Sequence, residues 1–233
     1  MSKKIILLAG PTASGKSKLA IYLAKKINGE IINADSMQMF KEFHILSSRP
    51  SQDETKKIKH HLYGTISVKT YFSAGDWLKQ ATKKIYLCLK KKKIPIIVGG
   101  TGLYFNTILK GISKIPDIDN KTRNKVRGLY KKLGLKKFYI NLINLDRKVK
   151  NRIMATDSQR VQRAYEVKLQ TKKSLFDWFA NTKSDFLDFN IRKIFINIPK
   201  EELLNKISIR TNLMFSKKCI NEVKKFNSLK INK

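Results

Sequence analysis

The sequence predicts an α/β protein in which helices flank a parallel sheet and a helical domain is inserted into the chain. Short apolar runs of strand length alternate with helical segments over the first hundred residues, and the same pattern returns near the end. Between these regions lies a long basic stretch with few strand-like runs. Strands that alternate with helices build a parallel sheet through right-handed crossovers.

The first strand and the first helix enclose a glycine-rich loop. Residues 5–10 (Ile-Ile-Leu-Leu-Ala-Gly) predict a short buried strand. Apolar residues at helical spacing predict a helix over 18–27, and Asn28-Gly29 ends it. A second strand, over 31–34, ends directly before Asp35.

A long polar stretch follows, from about residue 40 to residue 68. Ser73 and Asp76 have the spacing of a capping box, which predicts a helix over 73–93. A third buried strand follows over 94–98, and Gly99-Gly100 ends it.

The character of the chain changes after this third strand. Residues 117–190 are basic and predict several helices. A strand pattern returns over 192–198, and a basic helix runs from Lys200 onward. We therefore assign residues 1–116 and 191–233 to the α/β core, and residues 117–190 to a helical insertion domain.

The charge of the chain is strongly positive. Its 233 residues include 50 Lys and Arg against 17 Asp and Glu, a net charge of +33, and 41 of the basic residues are lysines. This excess indicates either the compositional drift of an AT-rich genome or a polyanionic partner, most simply nucleic acid. No apolar run approaches the ~18–20 residues of a membrane span, and we expect no export signal. Two cysteines cannot form a disulfide framework, so we expect reduced thiols and a cytoplasmic protein.

Residues 10–17 match the phosphate-loop pattern G-x-x-x-x-G-K-[ST] in full, between a predicted strand and a predicted helix. In such a loop the backbone N–H groups point at phosphate oxygens, the lysine adds a cation and the hydroxyl residue can bind Mg²⁺. The motif predicts a P-loop NTPase-like core and a di- or triphosphate ligand, without saying which one. The residues assigned to the ligand are Gly10, Pro11, Thr12, Ala13, Ser14, Gly15, Lys16 and Ser17, with Ser17 as the metal ligand.

Two other segments are predicted to end at the same edge of the sheet as this loop. Asp35 follows the second strand, and Gly99-Gly100-Thr101-Gly102 follows the third. Ligands of open parallel sheets bind beyond the carboxyl ends of the strands. Asp35 is therefore a candidate metal ligand or proton acceptor, or else the cap of the next segment. Thr101 either places its hydroxyl in the crevice or belongs to a plain strand-to-helix turn.

Several motifs occur in one order and together resemble a single family. They are the phosphate loop, Asp35-Ser-Met-Gln38, His60-His-Leu62, Ser73-Ala-Gly-Asp-Trp77, the Gly-Gly-Thr-Gly-Leu-Tyr run within Pro95–Phe105, and Asp157-Ser-Gln-Arg-Val-Gln-Arg163. From about residue 5 to about residue 226, the chain is similar to the tRNA dimethylallyltransferases, also called tRNA isopentenyltransferases.

The resemblance implies that N6 of an adenine beside the tRNA anticodon attacks C1 of dimethylallyl diphosphate, and that pyrophosphate leaves. It implies that Asp35 takes the N6 proton, while Lys16, Arg210 and a Mg²⁺ on Ser17 stabilise the pyrophosphate. The implied partners of a monomeric enzyme are dimethylallyl diphosphate and the anticodon stem-loop. The tRNA-binding residues implied by the resemblance are Asp35, Ser36, Met37, Gln38, Thr101, Arg123, Gln159, Arg160, Val161, Gln162 and Arg163.

Two other functions compete with this one. In a small-molecule kinase, Asp35 would deprotonate a hydroxyl group and ATP would donate its γ-phosphoryl group. A noncatalytic tRNA-binding protein would keep the fold and the charge. The family pattern continues for several dozen residues beyond Lys233, so we expect a C-terminally shortened member. In such a member either the lysine-rich surface replaces the tail or the activity is impaired.

The adjacent histidines His60 and His61 are a weak candidate for a metal site. Neighbouring side chains cannot face the same way on a regular element, and the sequence places no carboxylate or cysteine set beside them. We expect a structural or surface role for both. Cys88, Trp77 and Trp178 are expected to be packing residues.

Overall fold

The computed structural model describes residues 3–229 and residue 231, and the chain divides into two compact units. The first unit runs to residue 109 and resumes at residue 186, and the second comprises residues 110–185. This second unit begins and ends earlier in the chain than the insertion predicted over 117–190. It ends earlier because Phe186 and Phe189 are buried in the core of the first unit.

The two units have different secondary structure. The strands are β1 (Lys4–Ala9), β2 (Gly29–Asn33), β3 (His60–His61), β4 (Ile94–Gly99) and β5 (Asn190–Phe195). The helices are α1 (Lys16–Lys26), α2 (Gln52–Lys57), α3 (Ala74–Lys90), α4 (Gly102–Lys110), α5 (Asn120–Leu145), α6 (Ser158–Thr171), α7 (Leu175–Ala180), α8 (Lys200–Met214) and α9 (Lys217–Asn227). The second unit is built on α5, α6 and α7.

The strands form one parallel sheet in the order β3-β2-β4-β1-β5. The parallel α/β class is therefore confirmed, and four of the strands were predicted to within a few residues. β3 was missed because it is only two residues long and has no periodicity to detect. The helix expected from Lys200 onward is two helices, separated at Phe215 and Ser216.

Helices cover both faces of the sheet. On one face, Ile6 and Leu8 of β1 pack with Ala20 and Ala24 of α1. On the other face, alternate residues of the same strand pack with α3 and α4, whose buried side chains include Trp77, Ile85, Tyr104 and Ile108. The Trp77 and Tyr104 rings are stacked with their centroids 4.3 Å apart, so the prediction of Trp77 as a packing residue is confirmed.

The helical unit has a hydrophobic core of its own. Val126, Phe138 and Leu142 of α5 pack with Val161 and Tyr165 of α6. Helix α5 is interrupted at Gly134, whose φ of 68° is left-handed and therefore suits a residue without a Cβ. A core that is complete within 110–185 explains how this segment can be inserted between two strands of the sheet.

The end of β4 lies unusually close to the end of β2. A Cβ added at Gly99 would lie 2.0 Å from the carbonyl oxygen of Ala34, which is far inside van der Waals contact. The amide of Ala34 donates to the carbonyl of Val98 at 2.7 Å, so the two backbones are fixed at this spacing. Gly99 therefore determines how closely the segment before Asp35 approaches β4.

We predict that Gly99→Ala lowers the free energy of unfolding by about 1–3 kcal/mol, because the added methyl group overpacks the backbone of Ala34. The matched control is Gly128→Ala in α5, where an added Cβ meets no atom within 4 Å. That variant should be as stable as the parent or up to about 1 kcal/mol more stable. Urea unfolding of both variants measures the difference. Equal stabilities would contradict the packing.

Candidate active site

The phosphate loop lies between β1 and α1. Ala13 and Gly15 adopt left-handed φ values of 61° and 84°, which curl the backbone of the loop. Gly15 occupies the N-cap position of α1, where no side chain caps the helix. The first-turn N–H groups of α1 are therefore not capped by a side chain, and the positive end of the helix dipole lies beside them. This is the arrangement that favours an anion at a helix start.

Lys16 is folded back over the loop. Its Nζ donates to the carbonyl oxygens of Gly10 and Pro11 at 2.8 and 2.5 Å. An ammonium group has three donors, so a third N–H can still reach a phosphate oxygen. Burial lowers the pKa of Lys16, the charge of Asp35 opposes that shift, and Arg210 adds to the lowering. The charges of Asp35 and Arg210 therefore both influence the pKa of the Lys16 ammonium group.

Two serines of the loop present hydroxyl groups in different ways. Ser14 is buried, and its Oγ has no hydrogen-bond partner among the described residues. Ser17 is exposed in the first turn of α1. Ser17, Asp35 and Glu54 line one crevice and together offer a hydroxyl and two carboxylates. Oxygen ligands of this kind are those that Mg²⁺ prefers, so the residues present fit the expected metal ion.

The crevice encloses about 760 Å³. Part of its wall is polar and is formed by residues 12–17 of the phosphate loop, but not Gly10 or Pro11, with Asp35, Gln38, Arg49, Glu54, Tyr63 and Arg210. Another part is apolar and is formed by Ile45, Pro50, Val98, Ile209, Leu213 and Met214. One cavity can therefore hold a charged diphosphate together with a small hydrocarbon group.

Asp35 is half-buried just beyond the end of β2. Its Oδ1 accepts from the amide of Met37 at 3.0 Å, although Ser36 and not Asp35 is the N-cap residue of the short 3-10 helix Met37–Met39. Its Oδ2 faces the space left by Gly100, where an added Cβ would lie 4.0 Å away. One oxygen of the Asp35 carboxylate is thus held by a hydrogen bond from the backbone, and the other lies on the side of Gly100.

Polar side chains next to Asp35 form hydrogen bonds to the backbone of the protein. The Oγ1 of Thr101 accepts from the amide of Ser36 at 3.0 Å, which ties the turn between β4 and α4 to the Asp35 turn. The Nε2 of Gln38 donates to the carbonyls of Ser47 and Ser48 at 2.9 and 3.0 Å. Met37 is exposed. Thr101 and Gln38 therefore shape the site through these bonds.

Arg49, Glu54 and Tyr63 were missed as candidate site residues. All three line the crevice. Arg49 donates through Nη2 to the carbonyl of Lys41, and burial lowers its pKa. All three lie in the polar stretch over residues 40–68, which has no periodicity that could indicate a site. Arg210 of α8, which was predicted, does line the crevice.

The predicted tRNA-binding segment lies on α6 of the second unit. Gln159 and Arg160 are exposed, and Gln162 and Arg163 are half-buried. The prediction of Val161 as a tRNA-binding residue is wrong, because its side chain is fully buried in the core of this unit and cannot face a ligand. On α5, the Nε of Arg123 is buried without a hydrogen-bond partner among the described residues.

The structure corrects the expectation that no carboxylate or cysteine lies beside the histidine pair. Glu30, His61 and Cys88 are buried together, with their ligand atoms within 4.8 Å of one another. The Nε2 of His61 lies 2.7 Å from Glu30 Oε2, and the thiol of Cys88 donates to the same oxygen at 3.5 Å. Hydrogen bonds therefore account for this cluster, and Cys88 is a core residue as predicted.

The cluster has shifted pKa values. Burial lowers the pKa of His61, and Glu30 opposes this only in part. Burial disfavours the charge of Glu30, but its hydrogen bonds with His61 and Cys88 hold its pKa below the ordinary value. Burial and the charge of Glu30 raise the pKa of the Cys88 thiol to about 12. Burial thus disfavours the charged forms of the thiol and the imidazole, while hydrogen bonds favour the carboxylate form of Glu30.

We predict that acid destabilises the protein through this cluster. Folding lowers the pKa of His61. The stability that this histidine contributes is therefore complete above its unfolded pKa of about 6.5 and is lost as the pH falls through its folded pKa. The free energy of unfolding should fall between pH 7.5 and pH 5.5, and His61→Gln should show a smaller fall. His44→Gln, which changes an exposed histidine, should retain the parent profile. A parent-like pH profile in His61→Gln would contradict the assignment.

The loop, the sheet and the crevice define a P-loop α/β protein. The family model described as IPP transferase matches residues 38–233, and the chain belongs to that family. It is 54% identical to the tRNA dimethylallyltransferase of Pelagibacter ubique and 41% identical to that of Rickettsia felis. These alignments cover 99% and 95% of this chain, and 74% and 72% of the relatives.

The fold is also similar to that of a solved structure. The chain is similar to a eukaryotic dimethylallyltransferase acting on tRNA, with a TM-score of 0.85 and 27% identity over 97% of this chain. It spans 56% of the length of that protein. Among the helices of the described residues, none is long and apolar enough to cross a bilayer.

Proposed function

We propose that the protein transfers the dimethylallyl group of dimethylallyl diphosphate to N6 of the adenine on the 3′ side of the tRNA anticodon, position 37, and releases pyrophosphate. Membership of the family and the names of the two relatives support this reaction. The observation that carries it within the molecule is the single crevice in which the phosphate loop and Asp35 lie together. We expect a monomer that acts in the cytoplasm.

The phosphate loop would hold the leaving group rather than a phosphoryl group that is transferred. Negative charge builds on pyrophosphate as the allylic C–O bond breaks. The N–H groups at the start of α1, with Lys16 and Arg210, would stabilise that charge. A Mg²⁺ held by the Ser17 hydroxyl and the diphosphate oxygens would add further charge stabilisation. Arg49 lines the same crevice and is a further candidate for this role.

Asp35 would accept the proton. The N6 nitrogen forms a bond to C1, the C1–O bond breaks with its electron pair on pyrophosphate, and the N6 proton passes to the carboxylate. Oδ2 is the oxygen suited to this step, because Oδ1 already accepts from the amide of Met37. The amine becomes acidic only as it is alkylated. A carboxylate within hydrogen-bond reach of N6 therefore matters more than one with a shifted pKa.

The helical unit would bind the anticodon stem-loop. Gln159 and Arg160 are exposed on α6, next to the half-buried Gln162 and Arg163. The adenine has to leave its stack to reach a protein crevice, and loop nucleotides can do so at the least cost. The net charge of +33 would supply phosphate contacts that add affinity without sequence preference.

The names of the relatives do not favour the two competing functions. A kinase and a noncatalytic tRNA-binding protein nevertheless make different predictions from the transferase in one assay. Protein, Mg²⁺ and labelled dimethylallyl diphosphate are mixed with an anticodon stem-loop, or with a stem-loop whose target adenine is replaced. Label in the first RNA alone is the result that we expect. Binding of both RNAs with no label in either would contradict the proposed reaction.

We predict that Asp35→Asn lowers the single-turnover transfer rate by about 10²–10⁴-fold, because the amide cannot take the proton. The affinity for the stem-loop should remain within a few-fold. Asp53→Asn is the matched control, since Asp53 is exposed on α2. A near-parental rate in Asp35→Asn would show that another group is the base.

We predict that Lys16→Ala weakens the binding of pyrophosphate and of dimethylallyl diphosphate by at least about tenfold, because a charge-assisted hydrogen bond is lost. Stem-loop binding should not change. Lys25→Ala removes an exposed lysine from the last turn of the same helix and should bind the diphosphate normally. Calorimetric titration measures both variants, and equal affinities would place the diphosphate elsewhere.

A further inference from the structure

Asn33 is a buried polar residue at the end of β2. Its side chain is fully inaccessible to solvent, and it lies two residues before Asp35. Burying a carboxamide is unfavourable unless its hydrogen-bonding groups are satisfied. The partners of this side chain therefore indicate what it does.

The carboxamide of Asn33 binds the backbone of Asp35 on both sides. Its Oδ1 accepts from the amide of Asp35 at 2.9 Å. Its Nδ2 donates to the carbonyl of Asp35 at 2.9 Å, and also to the carbonyl of Leu62 at 3.0 Å. Both donors of the Nδ2 group are thus in use. One side chain holds the peptide groups before and after the proposed base.

Asn33 is itself held in place by two other elements. Its carbonyl accepts from the indole Nε1 of Trp77 at 2.9 Å, and Trp77 is fully buried in α3. The next amide, that of Ala34, donates to Val98 of β4. Asn33 is thus fixed by the packed sheet and α3, and its carboxamide in turn fixes the position of the Asp35 turn.

The chemistry of this position favours asparagine over other residues. An alanine makes none of these bonds. A serine hydroxyl can accept from the amide of Asp35, as in a turn closed by serine, but it cannot donate to two carbonyls. An aspartate keeps the acceptor and loses both donors, and it would place a second charge near Asp35.

We propose that Asn33 is the positioning residue of the active site, and that its carboxamide orients Asp35 so that Oδ2 meets the amine of the target adenine. This inference rests on the proposed function. Asn33 does not line the crevice and touches no reacting atom, so its loss should change the rate of transfer rather than the affinity for either substrate.

The test is a single-turnover comparison of Asn33→Ala and Asn33→Ser with the parent protein, at a temperature where all are folded. We expect the saturated rate to fall by at least tenfold in Asn33→Ala, and by less in Asn33→Ser. Dissociation constants for the stem-loop and for pyrophosphate should stay within threefold of the parental values. The serine variant keeps the test informative should the alanine variant fail to fold.

A core truncation separates positioning from general destabilisation. Ile85→Ala removes a fully buried side chain of α3 that makes no bond to the Asp35 turn. It should lower the melting temperature and leave the saturated rate within twofold. Parental rates in both Asn33 variants, or an equal loss of rate in Ile85→Ala, would overturn the inference while the proposed function stands. A parent protein that transfers no label would overturn both.

Discussion

Parallel pairing of β1, β4 and β2 is the constraint on which the rest of the structure depends. Parallel strands end at the same edge, so the phosphate loop, the Asp35 turn and Gly99-Gly100 converge although they are far apart in sequence. The spacing between them is fixed by backbone contact, because Gly99 leaves no room for a Cβ against Ala34. The crevice is a consequence of this pairing.

The electrostatics of the crevice follow from the same convergence. Lys16, Arg49 and Arg210 line one cavity with Asp35 and Glu54, so cations outnumber carboxylates where a diphosphate would lie. The carboxylate of Asp35 acts on Lys16, yet it is anchored by Met37 through Oδ1. This anchor would keep the proposed base in place when the proposed diphosphate donor binds beside it. The apolar wall next to these charges suits a hydrocarbon chain on the same donor.

Local sequence signals predicted the parts of the site that are encoded locally. The phosphate loop and Asp35 each follow a strand whose apolar run is visible in the sequence. The cluster of Glu30, His61 and Cys88 was not predictable, because a two-residue strand and a distant helix bring its members together. Arg49 and Tyr63 lie in the polar segment that has no periodicity. Val161 was assigned to tRNA by its motif, whereas helical geometry buries it.

The most direct measurement is a crystal structure of the protein with an anticodon stem-loop and a slowly reacting thio-analogue of dimethylallyl diphosphate. We expect the diphosphate on the N–H groups at the start of α1, and the N6 of the target adenine within hydrogen-bond reach of Asp35. An adenine bound outside this crevice, or a diphosphate bound away from residues 10–17, would contradict the single-crevice mechanism.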